Sequence, residues 1–484
     1  MQIVFAASEA SPFAKTGGLA DVVGSLPREI AKLGHQVSVF LPFYASVRPL
    51  LEKDFRYAIR SITIPFPHEN RFAGIVEGGE RDGVKYYFVD CPELFDRQGL
   101  YGNDGDSYSD NDERFGLFCR AVLEAAKILG VPDVFHVHDW QAALLPVLLR
   151  TVYSADPLLK KAATVLTIHN AGYQGWFPPA TTERLLLPWD LFTFDKLEHY
   201  NTFNFLKGGV VYADMLTTVS PTYAKEVQTP ECGKGLDGSL RQRSDDLRGI
   251  LNGVDYTVWD PATDGNLAAH YSPLDLTGKR DCRKDLLHAF GLEVPEQTPV
   301  IGICSRFASQ KGFDLLEQVA GRLAERDVAV VALGTGEPYY EKFFRDFAFA
   351  NAGRFSVQIR YDEAMAHKIE AGADIFLMPS RFEPCGLNQI YSLKYGTIPV
   401  VRATGGLDDT VEEWNPSQNS GTGFKFQPYE TQALLDSIDR ALGAFYDKSQ
   451  WKQLMENAMA QNFSWEKPSH EYAAVYEEAA RKRA

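Results

Sequence analysis

Residues 1–22 read MQIVFAASEASPFAKTGGLADV, and this stretch decides the fold. The apolar run Ile3–Ala7 is typical of a buried strand, and Leu19–Leu33 has the spacing of a helix that covers it. Between them, two glycines allow close backbone approach, helix-start amides favour an anion, and Lys15 adds a positive charge. The stretch matches neither the G-x-G-x-x-G fingerprint nor a Walker A loop. Because glycine pairs are also common in plain tight turns, this loop alone does not establish a phosphate site.

Short β-branched and aromatic runs recur along both halves of the chain and alternate with helix-compatible segments. This alternation predicts an α/β fold with two doubly wound, Rossmann-like domains, which we expect to face each other across a deep cleft. The turn-rich segment 252–264 (NGVDYTVWDPATD) separates the two series. We predict an N-terminal domain over 1–250, a C-terminal domain over 251–464, and a final helix at 465–484 that packs back on the first domain. The predicted strands are Ile3–Ala7, Val37–Leu41, Val84–Val89, Val134–Val137, Val165–Ile168, Leu216–Val219, Val300–Cys304, Val328–Leu333, Phe355–Ile359, Ile375–Met378 and Ile398–Val401.

The composition narrows the classes of partner. The 484 residues include 49 Lys and Arg against 64 Asp and Glu, which leaves a formal net charge of −15. Binding to nucleic acid or to an anionic membrane needs a basic face, so neither is expected as a partner. The six cysteines show neither metal-ligand spacing nor a disulfide framework, which indicates a reducing compartment. Met1 leads directly into the first strand, so we expect no signal or transit peptide and a cytoplasmic location.

Two loops of the second half carry candidate chemistry. The segment Cys304–Gly312 (CSRFASQKG) follows a predicted strand and offers Arg306 and Lys311, a planar fork and a point charge that suit a diphosphate. A solvated surface pair is an equally open interpretation of these two cations. The segment Met378–Gln389 (MPSRFEPCGLNQ) follows another strand. Its Glu383 can accept hydrogen bonds from sugar hydroxyls, and helix-start amides beyond it can hold a phosphate.

One observation favours a structural role for Glu383, and another supports anion binding. A buried Glu383 is often the structural partner of a cation, and Arg381 is available for that role. The loop Ala403–Leu407 (ATGGL) repeats the arrangement of glycines before a helix seen at residues 16–19. Because the arrangement occurs in both domains, we interpret it as two anion-binding helix starts.

Together these segments resemble the motif set of bacterial glycogen synthases and plant starch synthases. The motifs occur in the family's order along nearly the whole chain. The resemblance implies a GT-B fold and a retaining glucosyltransferase that moves glucose from ADP-glucose, or in some members UDP-glucose, to the non-reducing end of glycogen or another α-1,4-glucan. It implies neither a metal nor a cofactor. The motifs are KTGGL at 15–19, HVHDW at 136–140, TIHN at 167–170, GYQG at 172–175, Arg306 with Lys311-Gly312, and RFEPCGL at 381–387.

The resemblance also implies roles for individual residues. Arg306 and Lys311 would stabilise the departing diphosphate. Glu383 would bind glucose hydroxyls, and His169 would lie against the reacting sugar; these four are the candidate catalytic residues. The candidate substrate-binding residues are Lys15, Gly18, Tyr101, Asp139, Trp140, Asn170, Asn252, Cys385, Gly386, Leu387, Asn388 and Tyr391.

Two positions depart from the family pattern. Asn388 stands where the family usually has Thr, so its backbone amide is a better candidate for binding than its side chain. Tyr391 occupies the place of a second Glu in many related retaining transferases. The chain therefore lacks the carboxylate that recognises the ribose in those transferases, and an aromatic contact to the nucleotide is the alternative.

Two groups of residues resemble metal sites in their sequence pattern alone. His136 and His138 lie two apart on a predicted strand, but no further ligands cluster with them, so we expect them to pack or hydrogen-bond. The acidic run Asp104–Asp112 resembles the D-x-D of metal-dependent transferases. It lies in a Gly/Ser/Asn-rich stretch, which favours a solvated loop. No metal site is predicted.

Other functions remain compatible with this fold. A glucan phosphorylase would need a lysine-bound pyridoxal phosphate, and a nucleotide-sugar epimerase is a second rival of the same fold. A non-catalytic glucan-binding homologue is the rival from another class, although a diphosphate clamp would serve no purpose in it. A nicotinamide oxidoreductase would need the glycine fingerprint that the chain lacks. A preference for UDP-glucose and a starch-type synthase also stay open.

Overall fold

The computed structural model describes residues 1–51, 55–103 and 106–484. The chain divides into two compact units, Met1–Gly253 together with Trp465–Ala484, and Val254–Ser464. Among the residues described, none of the helices combines the length and the apolar character that crossing a membrane would require.

The first unit is built on a central sheet with helices on its faces. Its strands are β1 (Gln2–Ala6), β2 (Gln36–Pro42), β3 (Tyr57–Ile64), β4 (Arg71–Arg81), β5 (Val84–Asp90), β6 (Gly102–Asn103), β7 (Asp106–Ser107), β8 (Val134–His138), β9 (Ala163–Ile168), β10 (Trp176–Phe177), β11 (Glu198–His199), β12 (Thr202–Asn204), β13 (Met215–Thr218) and β14 (Leu247–Gly249). Its helices up to the unit boundary are α1 (Gly18–Lys32), α2 (Pro92–Phe95), α3 (Asn111–Leu129), α4 (Asp139–Ala142), α5 (Leu144–Arg150), α6 (Thr181–Arg184), α7 (Phe205–Tyr212), α8 (Pro221–Glu226), α9 (Pro230–Gly233) and α10 (Asp237–Gln242).

Within the described part of this unit, the main sheet has the strand order β14-β13-β9-β8-β1-β2-β5-β4-β3. The strands from β14 to β5 pair in parallel. Both β8 and β9 are buried along their whole length. Burial on both faces explains why these segments read as apolar runs and why the sequence predicted them.

Two local features differ from the sequence-based expectation. The sequence from Gln141 to Val152 is compatible with one helix, but the structure has two, α4 and α5, with Ala143 between them. Pro146 has no N–H to donate to the carbonyl of Ala142, so one hydrogen bond of a continuous helix is missing where the two helices meet. The antiparallel strands β3 and β4, which extend the sheet beyond β5, were also not predicted. Many of their side chains are exposed and polar, so their apolar signal is weak.

The second unit contains a parallel sheet that matches a doubly wound domain. Its strands are β15 (Val300–Cys304), β16 (Ala329–Gly334), β17 (Phe355–Ile359), β18 (Ile375–Met378), β19 (Ile398–Arg402) and β20 (Phe424–Phe426). Its helices are α11 (Thr277–Ala289), α12 (Phe313–Ala324), α13 (Pro338–Ala350), α14 (Glu363–Gly372), α15 (Asn388–Lys394), α16 (Gly405–Thr410), α17 (Thr431–Tyr446) and α18 (Lys448–Met459).

The order β17-β16-β15-β18-β19-β20 follows the 3-2-1-4-5-6 pattern of dinucleotide-binding sheets. The strand order reverses between β15 and β18. Ligands of open parallel sheets bind at the carboxyl ends of the strands beside such a reversal.

The last helix, α19 (Glu466–Arg481), belongs to the first unit and packs against α1 and β9. The hydroxyl of Tyr476 on this helix lies 2.8 Å from His136 Nδ1 in β8. The end of the chain is therefore part of the core of the unit in which the chain begins.

Candidate active site

In the first unit, three motif loops emerge at the carboxyl edge of the sheet. β1 pairs with β2 on one side and with β8 on the other, so the strand order reverses there. The loop after β1 carries Lys15 and Gly18. Asp139 follows β8 directly, and His169 follows β9. The fold thus places residues from the KTGGL, HVHDW and TIHN motifs at one edge, where a parallel sheet binds ligands.

The glycine loop leads straight into α1. Gly17, the residue before the helix, has an extended backbone with φ −163°, and Lys15 Nζ lies 2.9 Å from Asp21 Oδ1 in the first helical turn. The first amides of the helix, at Gly18 and Leu19, have no carbonyl partner within the helix. A Cβ built on Gly17 meets no atom of the described residues within 4 Å. This geometry suits the approach of an anion to the backbone.

Asp139 and His169 join the loops after β8 and β9. The backbone N–H of His169 donates to Asp139 Oδ1 at 2.7 Å. Asp139 has a left-handed backbone with φ 51°, which is costly for a residue other than glycine and is typical of functional sites. Burial raises the pKa of Asp139 to about 7, although hydrogen bonds from the backbone of His169 and Asn170 oppose the shift.

The His169 ring is held in a neutral state. Burial lowers the pKa of His169 to about 3, and burial also holds the pKa of His138 well below its usual value. His138 Nδ1 lies 2.9 Å from His169 Nε2. His138, which the sequence predicts to pack or hydrogen-bond, thus orients the ring of the candidate catalytic residue.

Aromatic rings surround the same edge. The Trp140 ring meets Phe115 edge-on at 5.0 Å and lies 6.4 Å from the ring of Tyr101. Asn252 follows β14 and is buried, and its Oδ1 has no hydrogen-bond partner among the described residues.

The two histidines of β8 are used within the fold. His136 lies 2.8 Å from the Tyr476 hydroxyl and 2.7 Å from Thr167 Oγ1, and its ring is 4.2 Å from that of His138. The prediction that these histidines pack or hydrogen-bond is confirmed. Over residues 1–51, 55–103 and 106–484, no group of three or more His, Cys, Asp or Glu side chains is arranged to hold a metal ion.

The acidic run contains a structural ion pair. Asp112 is fully buried, and its Oδ2 accepts hydrogen bonds from Arg184 at 2.7 Å and from Thr181 at 2.6 Å. The expectation of a solvated loop is therefore wrong for Asp112, because α6 brings an arginine to it. Asp104 and Gly105 lie outside the described residues.

In the second unit, the two predicted loops meet beside the reversal of strand order. Arg306 follows β15 and is exposed. Lys311 Nζ lies 2.6 Å from Glu383 Oε2, and Ser380 Oγ donates to the same oxygen at 3.0 Å. The Glu383 side chain is only 7% exposed, against 19% for Lys311. A cation and a hydrogen-bonding carboxylate thus stand together at the carboxyl edge of the sheet.

The backbones of these loops touch at Gly312. It follows a short 3-10 helix at Ser309–Lys311, has φ 75°, and a Cβ there would lie 1.9 Å from the carbonyl oxygen of Pro379. Only glycine fits this position. Arg381, the alternative partner considered for Glu383, instead pairs with Asp314 at 2.9 Å.

The start of α15 carries the remaining candidates of this unit. Gly386 has φ 72°, and Cys385 is buried. Asn388 Nδ2 donates to the carbonyl oxygen of Cys304 at 2.6 Å, so its side chain ties α15 to the end of β15. The buried Tyr391 ring stacks on Trp259 at 3.8 Å, which places it in the packing of the unit.

The glycine pair Gly405-Gly406 has a different structural role from the pair Gly17-Gly18. The N–H of Gly406 donates to the carbonyl oxygens of Glu383 and Pro384 at 3.1 and 3.2 Å. A Cβ on Gly405 would lie 1.9 Å from the Glu383 oxygen, and one on Gly406 would lie 2.1 Å from that of Cys385. The expectation of an anion-binding amide is therefore wrong for Gly406. The glycines let α16 pack directly on the backbone that carries Glu383.

Comparisons with known proteins agree with this architecture. Residues 2–242 match the family model of the starch synthase catalytic domain, and residues 287–458 match that of glycosyl transferases group 1. The chain is 57% identical over 485 residues to the glycogen synthase of Koribacter versatilis (strain Ellin345), covering 100% of this chain and 99% of that protein. It is 47% identical over 482 residues to the glycogen synthase of Anaeromyxobacter sp. (strain Fw109-5), covering 99% of this chain and 100% of that protein.

A solved structure extends the likeness to three dimensions. The catalytic domain of starch synthase IV from Arabidopsis thaliana, bound to ADP and acarbose, matches with a TM-score of 0.90 at 33% identity over 99% of both chains. The fold and the family that the motifs predicted are confirmed. The chain belongs to the family of the glycogen and starch synthases, has the GT-B fold, and is a glucosyltransferase of glycogen synthesis.

Proposed function

We propose that this glucosyltransferase takes glucose from ADP-glucose and adds it, with retention of anomeric configuration, to the non-reducing end of an α-1,4-glucan such as glycogen. The observation that carries the proposal is the Lys311–Glu383 pair at the reversal of strand order in a Rossmann-like sheet, where Lys311 shares its loop after β15 with Arg306. ADP as the nucleotide is supported by the starch synthase IV structure, which matches over the full chain and holds ADP.

The second unit is assigned to the donor. Arg306 and Lys311 stabilise the diphosphate, because charge grows on it as the bond to glucose breaks, and fixed cations act most strongly on that state. Backbone amides from Gly386 to Asn388, close to Cys385, bind the same group. Glu383 accepts hydrogen bonds from glucose hydroxyls. Tyr391 is the candidate for an aromatic contact to the nucleotide, through the part of its ring that Trp259 does not cover.

The first unit is assigned to the binding of the diphosphate and of the sugars. The loop between β1 and α1, residues 7–17, is called the anion loop. Lys15 and the amide of Gly18 bind the diphosphate at the start of α1. Asp139 and Asn170 bind glucose hydroxyls, and the neutral ring of His169 lies against the reacting sugar. The residues that line the acceptor side are Tyr101, Trp140 and Asn252.

The reaction proposed is a front-face displacement. The bond between glucose C1 and the diphosphate oxygen breaks, and the terminal O4 of the glucan attacks C1 on the same face. The leaving phosphate takes the proton of that hydroxyl, so configuration is retained without a covalent intermediate on the protein. Glu383 is already engaged by Lys311 and Ser380, which supports a binding role for it over a nucleophilic one.

We place the reaction in the cytoplasm, as the sequence predicts. All six cysteines are free thiols, which suits a reducing compartment. The composition supports neither nucleic acid nor a membrane as a partner.

One experiment tests the proposal. Purified protein is incubated with glycogen and either ADP-glucose or UDP-glucose labelled in the sugar, and nucleotide release and incorporation of label are measured. We expect faster release of ADP and label in α-1,4 linkages that an exo-acting amylase removes. Faster release of UDP would identify a UDP-glucose enzyme, and no release from either donor would identify a glucan-binding homologue. Either result would contradict the proposal.

A further inference from the structure

Glu9 lies three residues after the end of β1 and is only 3% exposed, yet its carboxylate accepts several hydrogen bonds. Oε2 accepts the backbone N–H of Thr16 at 2.5 Å and that of Gly17 at 3.3 Å. Oε1 accepts the Thr16 hydroxyl at 2.7 Å and the Tyr101 hydroxyl at 2.5 Å. The Tyr101 oxygen also lies 2.7 Å from Ser8 Oγ. One buried carboxylate therefore receives four donors.

These bonds determine which amides the loop presents. The N–H groups of Thr16 and Gly17 are turned inward to the carboxylate and are not available to an anion. The next two amides, at Gly18 and Leu19, open α1 and have no carbonyl partner within the helix. A carboxylate can only accept, so it selects a single orientation of the loop backbone. Glu9 thereby directs the helix-start amides away from itself.

The same carboxylate connects two segments that are distant in sequence. Tyr101 lies 92 residues from Glu9 along the chain, in the loop before the short β6 strand. Its hydroxyl bonds to the oxygen that also receives Thr16. Movement of the anion loop is thus coupled to the position of a ring that we assign to the substrate site.

We propose that Glu9 is a positioning residue that sets the backbone of residues 15–18 for binding the diphosphate of the donor. The inference rests on the proposed function, in which this loop binds the diphosphate. Glu9 contacts no substrate atom in this account and acts through Thr16, Gly17 and Tyr101. The negative charge of Glu9 does not attract the diphosphate. Glu9 acts through its hydrogen bonds, which fix the orientation of the loop backbone.

The test compares three variants by calorimetric titration with ADP and with AMP. Glu9→Ala removes all four bonds. Glu9→Gln keeps them in one orientation, with its carbonyl oxygen toward the two amides and its NH2 toward the two hydroxyls, which then accept. Glu29→Ala is the control, because Glu29 pairs with Lys32 within α1. Thermal melting verifies that each variant is folded.

We expect Glu9→Ala to weaken ADP binding about tenfold or more and AMP binding much less, because AMP presents one phosphate fewer to the misaligned loop. Glu9→Gln should restore most of the affinity for ADP, and Glu29→Ala should resemble the wild type. General loosening of the unit would instead weaken both nucleotides equally. An unchanged ratio of ADP to AMP affinity in Glu9→Ala, or no recovery in Glu9→Gln, overturns the inference.

Two further readouts keep the outcomes distinct. If Glu9→Ala does not fold, Thr16→Ala and Thr16→Ser replace it, because only serine keeps the hydroxyl donor to Oε1. The inference is supported if the ratio of ADP affinity to AMP affinity falls in Thr16→Ala and recovers in Thr16→Ser. It is overturned if this ratio is the same in both variants. If the wild type does not bind ADP, the proposed donor itself is wrong. If the wild type binds ADP and the variants match it, only the role of Glu9 is refuted.

Discussion

Lys311 Nζ lies 2.6 Å from Glu383 Oε2, and this ion pair joins the loop after β15 to the loop after β18. The side chain assigned to the diphosphate is therefore held by the side chain assigned to glucose. Both are largely buried, so their positions are set before the donor arrives. Preorganised charge of this kind costs little reorganisation during the reaction.

We expect Lys311→Ala to lower kcat about a hundredfold to a thousandfold, which is the loss seen when a main stabiliser of developing charge is removed. The buried Glu383 loses its cation, so the free energy of unfolding should also fall, by about 1–3 kcal/mol. Initial rates with ADP-glucose and denaturant unfolding measure the two effects. Arg306→Ala should lower kcat to a similar extent.

The matched control for this prediction is Lys342→Ala, which removes a lysine of α13 that pairs with Asp346 on the surface. Its rates and stability should match the wild type. Wild-type transfer rates in either Lys311→Ala or Arg306→Ala would refute the assignment of these cations to the leaving diphosphate.

Gly17 and Gly312 should respond differently to the same substitution. At Gly17 the backbone is extended and a Cβ has open space around it, so the melting temperature of Gly17→Ala should equal that of the wild type. Its kcat/KM for the donor should fall about tenfold or more, because the new methyl group occupies the space through which a phosphate approaches the backbone. Full activity in Gly17→Ala would show that no ligand comes close to that residue.

Gly312→Ala should instead destabilise the second unit. A left-handed backbone costs a non-glycine residue about 1–2 kcal/mol, and the methyl group also collides with the Pro379 carbonyl. We expect a loss of more than about 2 kcal/mol in the free energy of unfolding, measured in urea. A variant as stable as the wild type would contradict the observed contact between the two loops.

Asp139→Asn should stabilise the protein while it impairs catalysis. The pKa of Asp139 is about 7 in the folded chain and near 3.8 when unfolded, so the folded state binds the extra proton between these values. The stability that Asp139 contributes therefore falls as pH rises from about 4 to 7. Above pH 7 the carboxylate is ionised in the folded chain, and the free energy of unfolding is lowered by the full cost of burying that charge. A neutral amide removes the cost, and asparagine tolerates the left-handed backbone.

The measurement for Asp139→Asn is the free energy of unfolding at several pH values. At pH 8 we expect a gain on the order of 1–3 kcal/mol, since one pKa unit corresponds to about 1.4 kcal/mol. At pH 4 the gain should disappear. A variant that is less stable than the wild type at pH 8 would show that the buried carboxylate is compensated by its hydrogen bonds.

His169→Gln should lower kcat without changing the shape of its pH profile. The pKa of His169 is about 3, so its ring does not titrate between pH 5 and 8. Any inflection near pH 7 should come from Asp139 and should persist in His169→Gln. Initial rates from pH 5 to pH 8.5 decide the point. Loss of an inflection near pH 6.5 in this variant would mean that His169 carries a proton during the reaction.

Much of the fold was predictable because its signals are local. Strands such as Val165–Ile168 and Ile375–Met378 are apolar on both faces, and parallel sheets covered by helices require that pattern. The edge strand β3 and its neighbour β4 were missed, since partly exposed antiparallel strands carry a mixed pattern. The helix is broken between α4 and α5, next to Pro146, whereas α1 continues through Pro27, so a proline in the sequence does not by itself predict a break.

The candidate site was predictable in its residue types and less so in its contacts. The motifs named Lys311 and Glu383, but Arg381 was the partner considered for the glutamate. Glu9 received no role, and His138 was predicted to pack or hydrogen-bond without a named partner, because nothing near them in sequence shows what they bind. Gly405 and Gly406 were interpreted as an anion-binding turn, whereas close packing against the Glu383 backbone requires them.

From the sequence alone followed two α/β units, the buried parallel strands at their centres and the loops that carry charge after those strands. They followed because hydrophobic periodicity and glycine content are properties of residues that are neighbours in the chain. Only the tertiary structure decided that Lys311 meets Glu383, that Glu9 holds the loop of Lys15, and that Asp139 has a raised pKa. These properties depend on which strands lie side by side and on how deeply each group is buried, and both arise from contacts between segments distant in sequence.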